Sequence, residues 1–121
     1  MSTTKGYRQL IVWQKAMEMI PEVYRIIRVL PKEERFGMAE QMRRAAVSVV
    51  ANMAEGQGRN GKRDFAHFLD ISQGSLSELD TLLSIAIQLE YVPETTTKAV
   101  SEKLVEVRKL LFGLLNKLRT S

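Results

Sequence analysis

The chain has 121 residues, of which 45% are hydrophobic and 26% charged, and a formal net charge of +4. This suits one domain built around one core. Cysteine is absent, which excludes disulfides and thiolate metal sites and fits a reducing compartment.

Up to Trp13 the chain carries Lys5 and Arg8 but no apolar run or small-residue cleavage site, so no signal peptide is expected. The longest charge-free run near the middle, residues 45–54, falls far short of the roughly 20 apolar residues that cross a bilayer. A cytoplasmic protein without membrane contact is expected. A positive balance permits a polyanionic partner without requiring one. Its distribution says more: Arg43, Arg44, Arg59, Lys62 and Arg63 are opposed only by Glu55 between residues 43 and 63.

The first helix is expected over residues 8–30. Leu10, Trp13, Met17, Ile20, Tyr24 and Ile27 follow an alternating three-and-four spacing, and Ala16, Val23 and Leu30 widen that stripe into a core face. Pro21 lies inside it, where a missing amide predicts a bend. Pro31 ends it, and a charged connector runs to Gly37.

Residues 37–56 are the decisive stretch. Met38, Met42, Ala45, Val49 and Met53 keep helical spacing with alanine dominant between them. The run does not alternate as a half-buried strand does, and a strand here would have no partner. The second element is therefore a helix. Between Ala45 and Ala54 nearly every position is apolar or small, which implies burial on several sides. Two explanations stay open: contact with another subunit, or close packing against neighbouring helices.

The octet Gly56-Gln57-Gly58-Arg59-Asn60-Gly61-Lys62-Arg63 has the letters of a phosphate-binding loop and the glycine spacing of a dinucleotide fingerprint. Both need a strand in front, and here a helix precedes. Arg63 also stands where such a loop has its magnesium-binding Ser or Thr. Nucleotide chemistry is set aside in favour of a helix–helix turn. Gly56 or Gly58 would take the left-handed C-cap, Asn60 would cap the next helix, and Asp64 would favour its first turn. Arg59, Lys62 and Arg63 beside a helix N-terminus leave two readings open, a turn alone and a turn that also contacts phosphate.

The third helix is expected over 62–91, with Phe65, Phe68, Ser72, Ser75, Leu79, Leu82, Ala86 and Leu89 on its seam and a length of about 45 Å. Pro93 breaks the chain, and Thr95–Thr97 offer N-caps for a fourth helix over 94–119. That helix would be held by Val100, Leu104, Val107, Leu111, Leu114 and Leu118.

Gln41, Arg44, Ser48, Asn52 and Glu55 share one face of the second helix, and Ser72 and Ser75 take seam positions on the third with Glu78 one turn on. This predicts a structural polar network of Arg44, Ser48, Asn52, Glu55, Ser75 and Glu78, with Arg44 facing Glu78 and Asn52 facing Ser75. A catalytic reading lacks a nucleophile and a base. His67 is the only histidine. Asp64 and His67 share a helix face, but a di-iron bundle needs a second such motif, so no metal or cofactor is expected. Arg63 and His67 also resemble the Arg…His pair of HEPN-type helical ribonucleases, with fewer intervening residues than that motif normally has. Trp13, Tyr24, Phe65 and Phe68 read as core aromatics.

Taken together, Val12-Trp13-Gln14-Lys15-Ala16, Gln41-Met42-Arg43-Arg44-Ala45-Ala46-Val47-Ser48, Ala51-Asn52-Met53-Ala54-Glu55-Gly56, Gly58-Arg59, Phe65-x-x-Phe68-Leu69 and Gly74-Ser75-Leu76-x-Glu78-Leu79 resemble a known pattern. It is that of the bacterial four-helix-bundle family of proteins encoded in intervening sequences of 23S rRNA genes. The likeness covers almost the whole chain. Tyr91-Val92 departs from the commoner Gly-Tyr at the end of the third helix. The resemblance implies an up-down four-helix bundle assembling into a ring-like homopentamer. The family is similar to the accessory variability proteins of diversity-generating retroelements, basic pentamers that bind nucleic acid and a reverse transcriptase. Five copies of a +4 chain would carry +20, a strong field for a polyanion.

The expectation is thus an all-α, up-down four-helix bundle with antiparallel neighbours that forms a ring-like homo-oligomer. It would be non-catalytic and would bind RNA or DNA backbone through Arg43, Arg59, Lys62 and Arg63, as accessory to a reverse transcriptase or other protein. The alternatives are a protein-interaction scaffold that binds no nucleic acid and, more remotely, a helical ribonuclease on Arg63 and His67.

Overall fold

The computed structural model describes residues 6–120. A 3-10 turn at Tyr7–Gln9 leads into α1 (Ile11–Val29), and a second 3-10 turn at Lys32–Glu34 leads into α2 (Met38–Gln57), α3 (Lys62–Gln88) and α4 (Glu94–Thr120). No strand occurs among the described residues. Each helix packs on its neighbours in sequence and α4 closes against α1, with the largest contact between α2 and α3. Ion pairs between α1 and α4, Lys103 to Glu18 at 2.5 Å and Lys15 to Glu106 at 3.6 Å, match an antiparallel pair. So do Arg108 to Asp80 at 3.9 Å and Arg119 to Asp70 between α4 and α3.

The core lies along the common axis. All five apolar positions expected on α2 are buried, as are Val100, Leu104, Val107 and Leu111 of α4, joined by Leu115, while Leu114 and Leu118 are half-buried. In α1 the stripe is rotated. Val12, Ala16, Met19, Val23 and Ile26 are buried, whereas Trp13, Ile20, Tyr24 and Ile27 form its half-buried flank and Met17 is 40% exposed. Two three-and-four series run one residue apart in this sequence, so periodicity alone does not phase the helix. Small Ala16 is fully buried with Met19 and Val23, and the bulky rings fill the rim. The helix continues through Pro21, which faces solvent.

The ends differ from the sequence expectation for local reasons. Leu10 is extended (φ −74°, ψ 122°), which separates Tyr7–Gln9 from α1. There Tyr7 packs edge-on to Trp13 at 5.1 Å. α3 stops at Gln88 instead of continuing to residue 91. The Glu90 amide donates to Ile87 and the Tyr91 amide to Ala86, both at 2.9 Å, with Glu90 at φ 61°. This is a Schellman closure with glutamate where glycine is usual. α4 begins directly after Pro93, so Thr95–Thr97 lie inside its first turn, and the buried Thr97 hydroxyl donates to the Glu94 carbonyl at 2.9 Å.

A candidate nucleic-acid interface at the α2–α3 end

The glycine-rich octet is a tight turn between two helices, built differently from the sequence expectation. Gly58 caps α2 in a right-handed conformation (φ −81°), and its amide donates to Glu55 at 3.2 Å. The left-handed residue is Gly61 (φ 99°), which is also the N-cap of α3, so Asn60 caps nothing. Gly56 lies inside α2 and is buried. A β-carbon there would sit 2.7 Å from the Phe68 Cβ and 3.0 Å from Phe65 Cδ1. Absence of a side chain at Gly56 therefore lets the two rings close against α2.

Phe68 in turn holds Arg59. The guanidinium carbon lies 4.9 Å from the ring centroid, and Nη2 donates to Glu55 Oε2 at 2.6 Å. Lys62 and Arg63 follow in the first turn of α3, and Arg63 has no ion pair among the described residues. Beside them a groove of about 520 Å³ runs between the start of α3 and the end of α4, lined by Lys62, Arg63, Ala66, His67, Asp70, Leu118 and Arg119. Arg119 Nη2 donates to Asp70 Oδ2, which raises the guanidinium pKa. His67 is exposed and meets Phe68 edge-on at 5.7 Å.

Antiparallel packing adds cations that sequence proximity did not reveal. Arg8 stands over Tyr7 at 4.8 Å just before α1, and Lys117 and Arg119 end α4, all at the end where α2 turns into α3. Within about 12 Å of this end lie seven cations (Arg8, Lys15, Arg59, Lys62, Arg63, Lys117 and Arg119) against four carboxylates, Glu18, Glu55, Asp64 and Asp70. The rest of the described chain carries ten of each. The whole +3 of the described residues therefore sits at one end of the bundle. Arg43 does not join it. It lies in the second turn of α2, paired with Glu40, about 24 Å along the helix from Arg59.

The expected polar network is present in a smaller form. Ser75 Oγ donates to Ser48 Oγ at 2.8 Å, Asn52 Nδ2 donates to Ser48 Oγ at 3.0 Å, and Ser72 Oγ donates to the Val49 carbonyl at 2.8 Å. Asn52 reaches Ser75 only through Ser48. Arg44, Glu55 and Glu78 stand outside. Glu55 is taken by Arg59 across the turn. Arg44 and Glu78 flank the same α2–α3 groove of about 340 Å³ but are exposed and form no ion pair among the described residues. Water solvates both charges there, so neither needs the other. Among the described residues no three His, Asp or Glu side chains gather to hold a metal, and no helix is long and apolar enough to cross a membrane.

The model of the 23S rRNA-intervening sequence proteins matches residues 8–113. The chain belongs to that family. The match takes in all of α1, α2 and α3 and most of α4, including the turn and the polar network. A crystal structure of a protein of unknown function from the S23 ribosomal protein family of Bacteroides thetaiotaomicron shares this family member's fold. Its TM-score is 0.79 at 24% identity, over 87% of this chain and 98% of that one. No curated protein matches the chain.

Proposed function

We propose that this intervening-sequence protein is a non-catalytic, homo-oligomeric bundle of the cytoplasm. Its α2–α3 end binds the phosphate backbone of a nucleic acid, as accessory to a nucleic-acid-processing partner. The reading is carried by the charge at that end, where seven cations stand against four carboxylates while the remainder of the described chain is balanced. Backbone binding draws its affinity from such neutralisation and the counterions it releases. Self-association is supported by exposed apolar side chains on the outer side of α2 and α3, Val47 at 45% and Ile71 at 39%.

The test is fluorescence anisotropy with mixed-sequence DNA and RNA oligonucleotides across a salt series, with light scattering on the same sample giving subunit number. Replacing Arg59, Lys62 and Arg63 by glutamine lowers affinity at least about tenfold and flattens the salt dependence by about 2–3 in log–log slope. Arg43→Gln, at the far end of α2, binds as the parent does. Unchanged binding in the triple variant refutes the site.

One observation favours a second reading, RNA cleavage. Arg63, His67 and Arg119 line one groove, so a base or acid and two phosphate-stabilising cations share one space. That reading predicts RNA cleavage that His67→Ala abolishes.

A further inference from the structure

The opposite end of the bundle has a pocket of its own, where α1 passes into α2. It encloses about 210 Å³, with Ile27, Leu30, Pro31 and Ala39 as an aliphatic floor and Lys32, Arg35 and Arg43 around it. Pro31 ends α1, and the 3-10 turn that follows is pinned from two sides by one carboxylate. Glu34 Oε1 accepts the Met38 amide at 3.1 Å, and Oε2 accepts the Tyr91 hydroxyl at 2.8 Å. Both oxygens of Glu34 are thereby engaged, while Glu33 beside Lys32 is exposed to solvent. Arg43 is paired with Glu40, but Lys32 and Arg35 form no ion pair among the described residues. Next to them Phe36 is 85% exposed, the most open of the large apolar side chains among the described residues.

Size and lining together select the ligand. The pocket is smaller than the roughly 300–1,000 Å³ of drug-sized and cofactor sites, so it takes a single side chain. Its floor has no polar side chain to read a base edge, and the Arg35 guanidinium lies over the Phe36 ring at 5.6 Å, occupying a face on which a base would stack. An aliphatic group fits the floor, and carboxylates beside it fit the rim. We propose that this corner docks a short acidic segment of a partner protein, with one aliphatic side chain in the pocket and flanking carboxylates on Lys32 and Arg35. None of these residues belongs to the basic end, so the inference stands apart from the phosphate-binding reading.

The test uses the full chain and a dye-labelled acidic octapeptide with one central leucine, measured by anisotropy. Two comparison peptides replace the leucine by serine or all the acidic residues by their amides. The leucine peptide binds about tenfold more tightly than either, a difference of about 1.4 kcal/mol. The double variant Lys32→Glu, Arg35→Glu loses at least about tenfold of that affinity, whereas Lys62→Gln with Arg63→Gln keeps it. All four substituted side chains are exposed, and circular dichroism confirms the fold of each variant. Equal binding of leucine and serine peptides, parental affinity in the Lys32/Arg35 variant, or no leucine-dependent binding up to about 1 mM overturns the proposal. So does a single-stranded oligonucleotide whose binding is lost in the Lys32/Arg35 variant alone, which assigns the corner to nucleic acid.

Discussion

Substituting Gly56 by alanine tests how the turn is assembled, because two general effects oppose one another there. In an exposed helix interior the change stabilises by up to about 1 kcal/mol, through reduced freedom of the unfolded chain. At Gly56 the new methyl would meet the Phe68 Cβ at 2.7 Å and the Phe65 carbonyl oxygen at 3.3 Å, against an optimal carbon–carbon separation of about 3.5–4.0 Å. Phe68 Cβ is fixed to the backbone, so no rotamer change relieves the overlap. α3 must move from α2 by about 1 Å across the largest contact in the bundle. Overpacking of this kind costs about 1–3 kcal/mol, and a backbone-fixed obstacle puts the cost in the upper half. The net is a loss of about 1–2 kcal/mol, or about 4–8 °C in Tm for a chain of this size. Gly113→Ala is the control, since a β-carbon there meets nothing within 4 Å, and it raises stability by about 0.5–1 kcal/mol. Urea melts followed by circular dichroism at one fixed protein concentration measure both. A Gly56→Ala protein as stable as the parent would refute the close-approach argument.

Glu90→Gly relieves a glutamate held at φ 61° and stabilises by about 1 kcal/mol in the same melts; a loss would mean that the side chain contributes more than the strain costs. Stability also falls on acidification. Amide and hydroxyl donors from Met38 and Tyr91 hold the Glu34 carboxyl below its ordinary value, and Lys103, through a hydrogen bond, does the same for Glu18. With folded pKa values depressed, their contribution is whole above the unfolded value of about 4.3 and is lost as pH drops through the folded values. The urea midpoint therefore declines below about pH 5, and Glu34→Gln flattens that decline; a midpoint rising towards pH 3 would contradict it. Tyr91 is shifted upwards by its bond to Glu34, so its contribution persists at neutral pH and goes only as alkali exceeds about pH 10.

Helix number and most of the core were legible because α2, α3 and α4 carry apolar periodicity that one phase explains. α1 was not phased correctly, since its two interleaved series differ in bulk and not in hydrophobicity, and bulk matters only once a neighbour is present. The turn was legible as a turn, but its left-handed residue was assigned to the wrong glycine. Three glycines within six positions (Gly56, Gly58 and Gly61) offer equal conformational freedom, and what singles out Gly56 is the approach of Phe68 from another helix. Of the basic site, Arg59, Lys62 and Arg63 were found by adjacency, and Arg43 was included for the same reason. Arg8, Lys117 and Arg119 lie about fifty residues from that turn in sequence, and only the antiparallel course of the helices brings them to it. Arg44 and Glu78 were matched by sign and spacing, which say nothing about whether water already satisfies both.

The uneven placement of charge also governs how the molecule meets another charged body. Antiparallel neighbours cancel their peptide dipoles in pairs, so the permanent moment along the bundle comes from side chains, with its positive pole at the α2–α3 end. A polyanion therefore exerts a torque as well as an attraction, turning the rod end-on before contact. Collisions that would otherwise begin in random orientations are sorted at a distance, within roughly a Debye length of about 8 Å at physiological salt. The opposite corner is left pointing away from the surface and open to solvent.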